Sequence, residues 1–192
     1  MKTHRLFLLL IPLFMLACNS KPKADKNLND DALLVENAKV KAESDNETRS
    51  VEKFVEEAAI GGMMEVELGS YAQKNAVNQR VKNFGAMMVR DHNSANEELK
   101  SIASAKKLQV PASMDDDHIK KAAELKQKTG ADFDSEYMSD MVDDHEKDVD
   151  EFKKQSENGK DPEIRAFAAK TLPVLQVHLD SARNIRDALK RK

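Results

Sequence analysis

One short phrase in this chain occurs twice. Met88-Val89-Arg90-Asp91-His92 returns fifty-three residues later as Met141-Val142-Asp143-Asp144-His145. Continued to Lys100 and Lys153, six of thirteen positions are identical, and a seventh pairs Leu99 with Phe152. Neither copy contains Pro or Gly, and both lie in long helix-forming sequence. A Met four residues before each His and an apolar residue seven after it put the imidazole on the apolar stripe of a helix. Two copies are too few for a solenoid, which needs three or more units. Two equivalent helices inside one bundle are the expected arrangement.

The region around the two copies predicts that bundle. Residues 50–192 are the size of one domain and are rich in Ala, Lys and Glu, with no Trp and few aromatics. Such composition reads as all-α. The first long helix is expected over about 51–75, with Phe54, Ala58, Gly61, Glu65, Leu68 and Ala72 inward. The second is expected over about 78–108, with Val81, Gly85, Met88, His92, Ala95, Leu99 and Ile102 inward. Ser113-Met114-Asp115-Asp116 reads as the capped start of a short helix to about Lys128, stopped by Gly130. The third long helix is expected from Asp132 to just before Asn158-Gly159, burying Phe133, Met138, Met141, His145, Val149 and Phe152. Asp161-Pro162-Glu163 opens the fourth with a capping Asp and a Pro at its first position. Its stripe is Ile164, Phe167, Thr171, Val174, His178, Ala182, Ile185 and Leu189. Short links make hairpins of helices one and two and of three and four, while a long connection carries the short helix between them. The expected fold is therefore a four-helix bundle with one crossover, the ferritin-like wiring.

Each long stripe contains one strongly polar residue: Glu65, His92, His145 and His178. Each lies about fifteen residues from its expected helix start, or ~20–25 Å along the axis at 1.5 Å per residue. The four are therefore expected in one layer. An unsatisfied polar group in an apolar core costs ~1–3 kcal/mol. A metal would satisfy all four, since neutral imidazoles and a carboxylate form a familiar ligand set. Any single inward His is more often hydrogen-bonded to a neighbour, but one such residue per helix at matched depth favours metal. Asp91 and Asp144 each precede a His and are candidates to orient an imidazole on an adjacent helix. The competing assignment for both is an exposed charge or an interhelical ion pair. His118, after three Asp residues on the short helix, reads as a solvated face. Gly61-Gly62, one turn before Glu65, would let a backbone or ligand approach, and Pro173 would kink the fourth helix. Met63, Met64, Met87, Met88, Met138 and Met141 read as core filler; a thioether beside imidazole would favour copper.

The amino terminus reads as an address. Lys2 and Arg5 precede an apolar run from Leu6 to Leu16, too short to span a bilayer, which needs ~20 residues. Residues 1–17 are the expected signal peptide. Cys18, the single cysteine, follows Phe14-Met15-Leu16-Ala17 and resembles the bacterial lipoprotein processing box. That resemblance implies a lipid-bearing Cys18, and Asn19 after it favours the outer membrane. Residues 18–49 are polar apart from two small apolar clusters and read as a flexible tether. Subtracting Lys2 and Arg5 takes the formal charge from −3 to −5, and without a basic face nucleic acid is not an expected partner.

Glu65 with Leu68-Gly69 and Ala72, Val81-x-x-Phe84 leading to Met88-Val89-x-Asp91-His92, Phe133…Tyr137…Met141-Val142-x-Asp144-His145, and Leu172-Pro173-x-Leu175-x-x-His178-Leu179 together resemble one family. It is the ferritin-like "predicted outer membrane protein" group, domain-of-unknown-function family 4142, over about Val51 to Leu189. The resemblance implies a ferritin-like bundle in the bacterial envelope and no particular reaction. Di-iron ferritin-like enzymes carry Glu-x-x-His on two helices. Here Val89, Val142 and Leu175 stand three residues before the histidines, which speaks against a carboxylate-bridged di-iron centre. A single nitrogen-rich site for zinc, copper or iron is expected instead, serving metal handling or envelope stress. The alternative is a non-catalytic envelope module whose core His and Glu form a hydrogen-bonded cluster. No nucleophile–base pair, phosphate loop or cofactor motif is visible, so the sequence assigns no enzymatic step.

Overall fold

The computed structural model describes residues 28–191, with side chains from residue 34 onward. The chain divides into two units, Met1–Lys39 and Val40–Lys192, and all four polar stripe residues lie in the second. The signal peptide and Cys18 lie outside the described residues.

Five helices and no strand are present among the described residues: α1 (Leu28–Asn75), α2 (Gln79–Lys106), α3 (Asp116–Lys126), α4 (Gly130–Asn158) and α5 (Pro162–Leu189). The caps expected at the starts of α3 and α5 are present, and Asn78 adds one at the start of α2. Asn78 accepts from the Arg80 N–H, Asp115 from the His118 N–H, and Asp161 from the N–H groups of Glu163 and Ile164. These bonds satisfy donors that the first helical turn leaves orphaned. Helix α5 runs unbroken through Pro173.

Three local expectations need correction. Helix α1 begins at Leu28 rather than near Val51, so most of the expected tether is helical. Residues 28–60 contain no Pro or Gly, and extending an existing helix is far cheaper than starting one. Side chains 34–50 are all exposed, so this part of the extension buries nothing. Secondly, α3 ends at Lys126, and Gly130, with φ +59°, opens α4 instead of stopping α3. Thirdly, Val174 is exposed and Leu175 takes its place in the core. Leu175 keeps the three- and four-residue alternation regular from Thr171 to His178.

Cross-helix contacts give the wiring. Glu65 meets His92 and Gly69 meets Gly85, so α1 and α2 are antiparallel. Phe152 packs on Phe167 and Glu146 pairs with Arg183, so α4 and α5 are antiparallel as well. Phe84 lies against Tyr137 and His92 against His145. Both contacts keep the same fifty-three-residue offset, so α2 and α4 run parallel and the two repeated phrases sit side by side. The order is up, down, down, up, and the connection bearing α3 must return along the bundle. This is the ferritin-like bundle.

Two apolar clusters fill the interior. One gathers Leu68, Phe84, Met88, Phe133, Tyr137 and Met141 with neighbours that include Leu125 of α3. The other gathers Phe54, Val55, Leu99, Phe152, Phe167 and Leu175. Along every long helix the polar residue falls where one cluster gives way to the other. Met64, Met88, Met138 and Met141 belong to the first cluster, with Met87 packed against it, as filler would.

Candidate metal centre

Glu65, His92, His145 and His178 converge in one buried layer, none more than 6% exposed. The ring centroids of His92, His145 and His178 are 5.2–5.6 Å apart. One nitrogen from each lies within 4.8 Å of the others, as a shared ion would require.

Their outward partners decide which nitrogens face inward. His145 Nδ1 is 2.9 Å from the Met141 carbonyl oxygen, which can only accept, so Nδ1 carries the proton and Nε2 a lone pair. His178 Nε2 is 3.0 Å from Asp91 Oδ2, so Nε2 donates and Nδ1 is bare. His92 Nδ1 is 2.8 Å from Glu65 Oε2. Its proton goes to the carboxylate, and its buried Nε2 has no hydrogen-bond partner. Two lone pairs thus face each other, on His145 Nε2 and His178 Nδ1, 3.2 Å apart, and a neutral His92 would add a third on Nε2.

Glu65 stands behind this tripod. Oε2 holds His92, while Oε1 lies 3.3 Å from His145 Nδ1 without a hydrogen bond, because that proton is directed at Met141. Asp91 orients His178 and is itself held by the Arg90 guanidinium at 2.7 and 2.9 Å. Asp144 does not touch an imidazole. It pairs with Lys121 of α3 at 2.7 Å, because α3 lies over that face of α4. Tyr71 and Lys126 help to hold α3 there, through the Lys126 carbonyl and Glu67 respectively.

Burial and pairing set the protonation states. Burial raises the Glu65 pKa, but His92, His145 and His178 outweigh it and hold the carboxyl at about 2. Burial lowers His178 to about 4 despite Asp91, and burial also lowers His145. For His92, burial is overcome by the attraction of Glu65, and the pKa is raised. At neutral pH His145 and His178 are therefore neutral and able to act as ligands.

Several polar residues had no clear signal in the sequence. Asp148, one turn beyond His145, brings an oxygen within 4.8 Å of ligating atoms of both Glu65 and His145. Burial, with Glu65 nearby, raises its pKa well above the carboxylate range. Asp134, 1% exposed, accepts the N–H groups of Val77 and Asn78 and fastens the α1–α2 turn to α4. Tyr137 is buried with its hydroxyl unpartnered. His118 bonds Asp115 at 2.7 Å and lines a surface cavity. At Gly61 there is open space, whereas Gly62 is covered by the Asn96 side chain. The close approach of two backbones occurs instead at Gly69 and Gly85.

No curated protein and no solved structure matches the chain significantly. Residues 36–185 match the family described as Domain of unknown function (DUF4142), and the chain belongs to that family.

Proposed function

We propose that this bundle binds a single transition-metal ion through His92, His145 and His178, with Glu65 and Asp91 as the carboxylates that orient the imidazoles. One observation carries the proposal: three differently partnered, buried imidazoles each bring one nitrogen within 4.8 Å of the others. Two lone pairs 3.2 Å apart repel unless a proton or a cation lies between them, and the buried His92 Nε2, without a hydrogen-bond partner, is the natural third donor. Carboxylate or carbonyl acceptors behind each ring are the arrangement that fixes tautomers around a metal. Neutral nitrogen donors suit zinc, copper, iron or nickel over magnesium or calcium. A three-imidazole set leaves a further coordination position for water or cargo.

The role proposed is metal handling or stress protection at the bacterial envelope, with the bundle tethered to the outer membrane through a lipid on Cys18. The polar segment after Cys18 and the lipoprotein-like box support that placement. No helix among the described residues is long and apolar enough to cross a membrane. Mass spectrometry of the mature amino terminus should find a diacylglyceryl-modified Cys18; an unmodified start elsewhere would remove the anchor.

A melting series tests the site. Zinc, copper, iron and nickel are added at micromolar concentration to protein purified without a His tag. At least one should raise the wild-type melting temperature, since a ligand present at 100 times its Kd stabilises the folded state by ~2.7 kcal/mol. His145→Ala should abolish that rise. Indifference of the wild type to all four metals would reduce the layer to the hydrogen-bonded cluster of a structural module. In that case His145→Ala would still destabilise, by ~1–3 kcal/mol, through the partners it strands.

A further inference from the structure

The tripod does not account for Glu65 Oε1. Glu65 is only 2% exposed, yet this oxygen has no hydrogen-bond partner. It belongs instead to a second group: Glu65, His145 and Asp148 each bring one ligating atom within 4.8 Å of the other two. His145 Nδ1 is committed to the Met141 carbonyl, which leaves two carboxylates as the donors of this group.

Glu65 and Asp148 both line a cavity of ≈ 450 Å3 between α1, α3 and α4. Glu56, Glu57, Asp115, Asp144 and Glu151 also line it, with Lys147 the one ammonium among its walls. Lys147 is well exposed and leans on Asp144 at 3.8 Å. The cavity therefore presents a strongly negative wall, and at its buried end the Glu65 carboxylate stands beside Asp148, whose raised pKa keeps its proton until a cation displaces it. Low-dielectric walls of one sign concentrate counter-ions.

We propose that Glu65 and Asp148 form a second cation position, distinct from the imidazole tripod and open to the acidic cavity. Its two carboxylates, completed by water, suit a divalent cation that prefers oxygen, of the manganese type, over one that prefers nitrogen. The proposal shares Glu65 with the tripod: Oε2 holds His92 while Oε1 serves the second cation. A cation arriving from solvent through the cavity meets this position before it reaches the imidazoles.

The two positions are separable by probe and by variant. Mn2+ binding is followed by electron paramagnetic resonance, and Co2+ ligand-field absorption reports the nitrogen tripod. Asp148→Asn keeps the shape of the side chain and removes the carboxyl that would give up its proton to a cation. It should weaken Mn2+ binding by about tenfold or more and leave the Co2+ band in place. His178→Ala should do the reverse, and circular dichroism checks that both variants are folded. Failure of the wild type to bind Mn2+ overturns the proposal. So does loss of Mn2+ in His178→Ala but not in Asp148→Asn, which would put Mn2+ in the tripod. An equal loss in Glu57→Gln also overturns it, since diffuse attraction by surface acids would then suffice. Asp148-dependent Mn2+ binding without any Co2+ band would sustain this position while removing the tripod.

Discussion

At the scale of single residues, the core groups respond to pH with opposite signs. His178 titrates at about 4 in the fold against 6.5 for the free side chain. The unfolded chain therefore binds more protons there, and the His178 contribution to metal-free stability falls as pH drops from 6.5 towards 4, against the opposite contribution of the raised Asp148. The His178 contribution is on the order of 3 kcal/mol across that window. His145, lowered as well, adds to it. His92 acts the other way: its raised pKa stabilises the fold below 6.5, and that gain is lost as pH rises through the raised value. Glu65 contributes above 4.5 and loses its contribution as pH falls towards about 2. Urea midpoints of chelator-treated protein should be lower at pH 4.5 than at pH 7, with a smaller drop in His178→Gln. An equal pH response in the variant would show that His178 is not held neutral by burial. The four core residues were legible because each interrupts an apolar stripe at matched height. The division of labour among them was not. Which nitrogen faces inward depends on partners such as Met141 and Asp91, and only the packed bundle supplies those. Asp148 carried no signal beyond its place one turn after His145, among many other acids.

Helices have their own test in the glycines. A Cβ on Gly85 would lie 2.6 Å from the Gly69 carbonyl oxygen and 3.0 Å from the Ala72 Cβ. The first of these is backbone and cannot swing away. Gly85→Ala should therefore destabilise the protein, because ~1–3 kcal/mol of overpacking exceeds the ~1 kcal/mol that alanine gains in helix propensity. A Cβ on Gly61 would meet nothing within 4 Å, so Gly61→Ala should stabilise by ~0.5–1 kcal/mol. Urea denaturation of both variants checks the contrast, and equal effects would mean that α1 and α2 are not in close contact at Gly85. The starts of α3 and α5 were readable from Ser113-Met114-Asp115-Asp116 and from Asp161-Pro162 because caps are local chemistry. The start of α1 was not. Residues 28–50 have the composition of a tether, and over 34–50, where every side chain is exposed, the helix is propagated from the packed segment after it rather than stabilised by burial.

For the whole molecule, the wiring follows from link lengths: two short turns make hairpins, and the connection bearing α3 lets α2 and α4 run parallel. The repeated phrase forecast the equivalence of these two helices but not their direction, which loop length decided. Glu65 and His92 come from the first hairpin, and His145 and His178 from the second. Neither half holds a complete tripod. The protein should therefore tolerate being made as two pieces, divided between Leu108 and Asp115, that find each other in solution. Co-expressed fragments should co-purify, and zinc should slow their separation, since in the proposed site the ion would bond to His92 on one piece and to His145 and His178 on the other. Fragments with a His92→Ala change should lose that response to zinc while still pairing through their apolar faces. What behaves as a ligand site in the intact chain would then act, in the divided one, as a clasp between subunits.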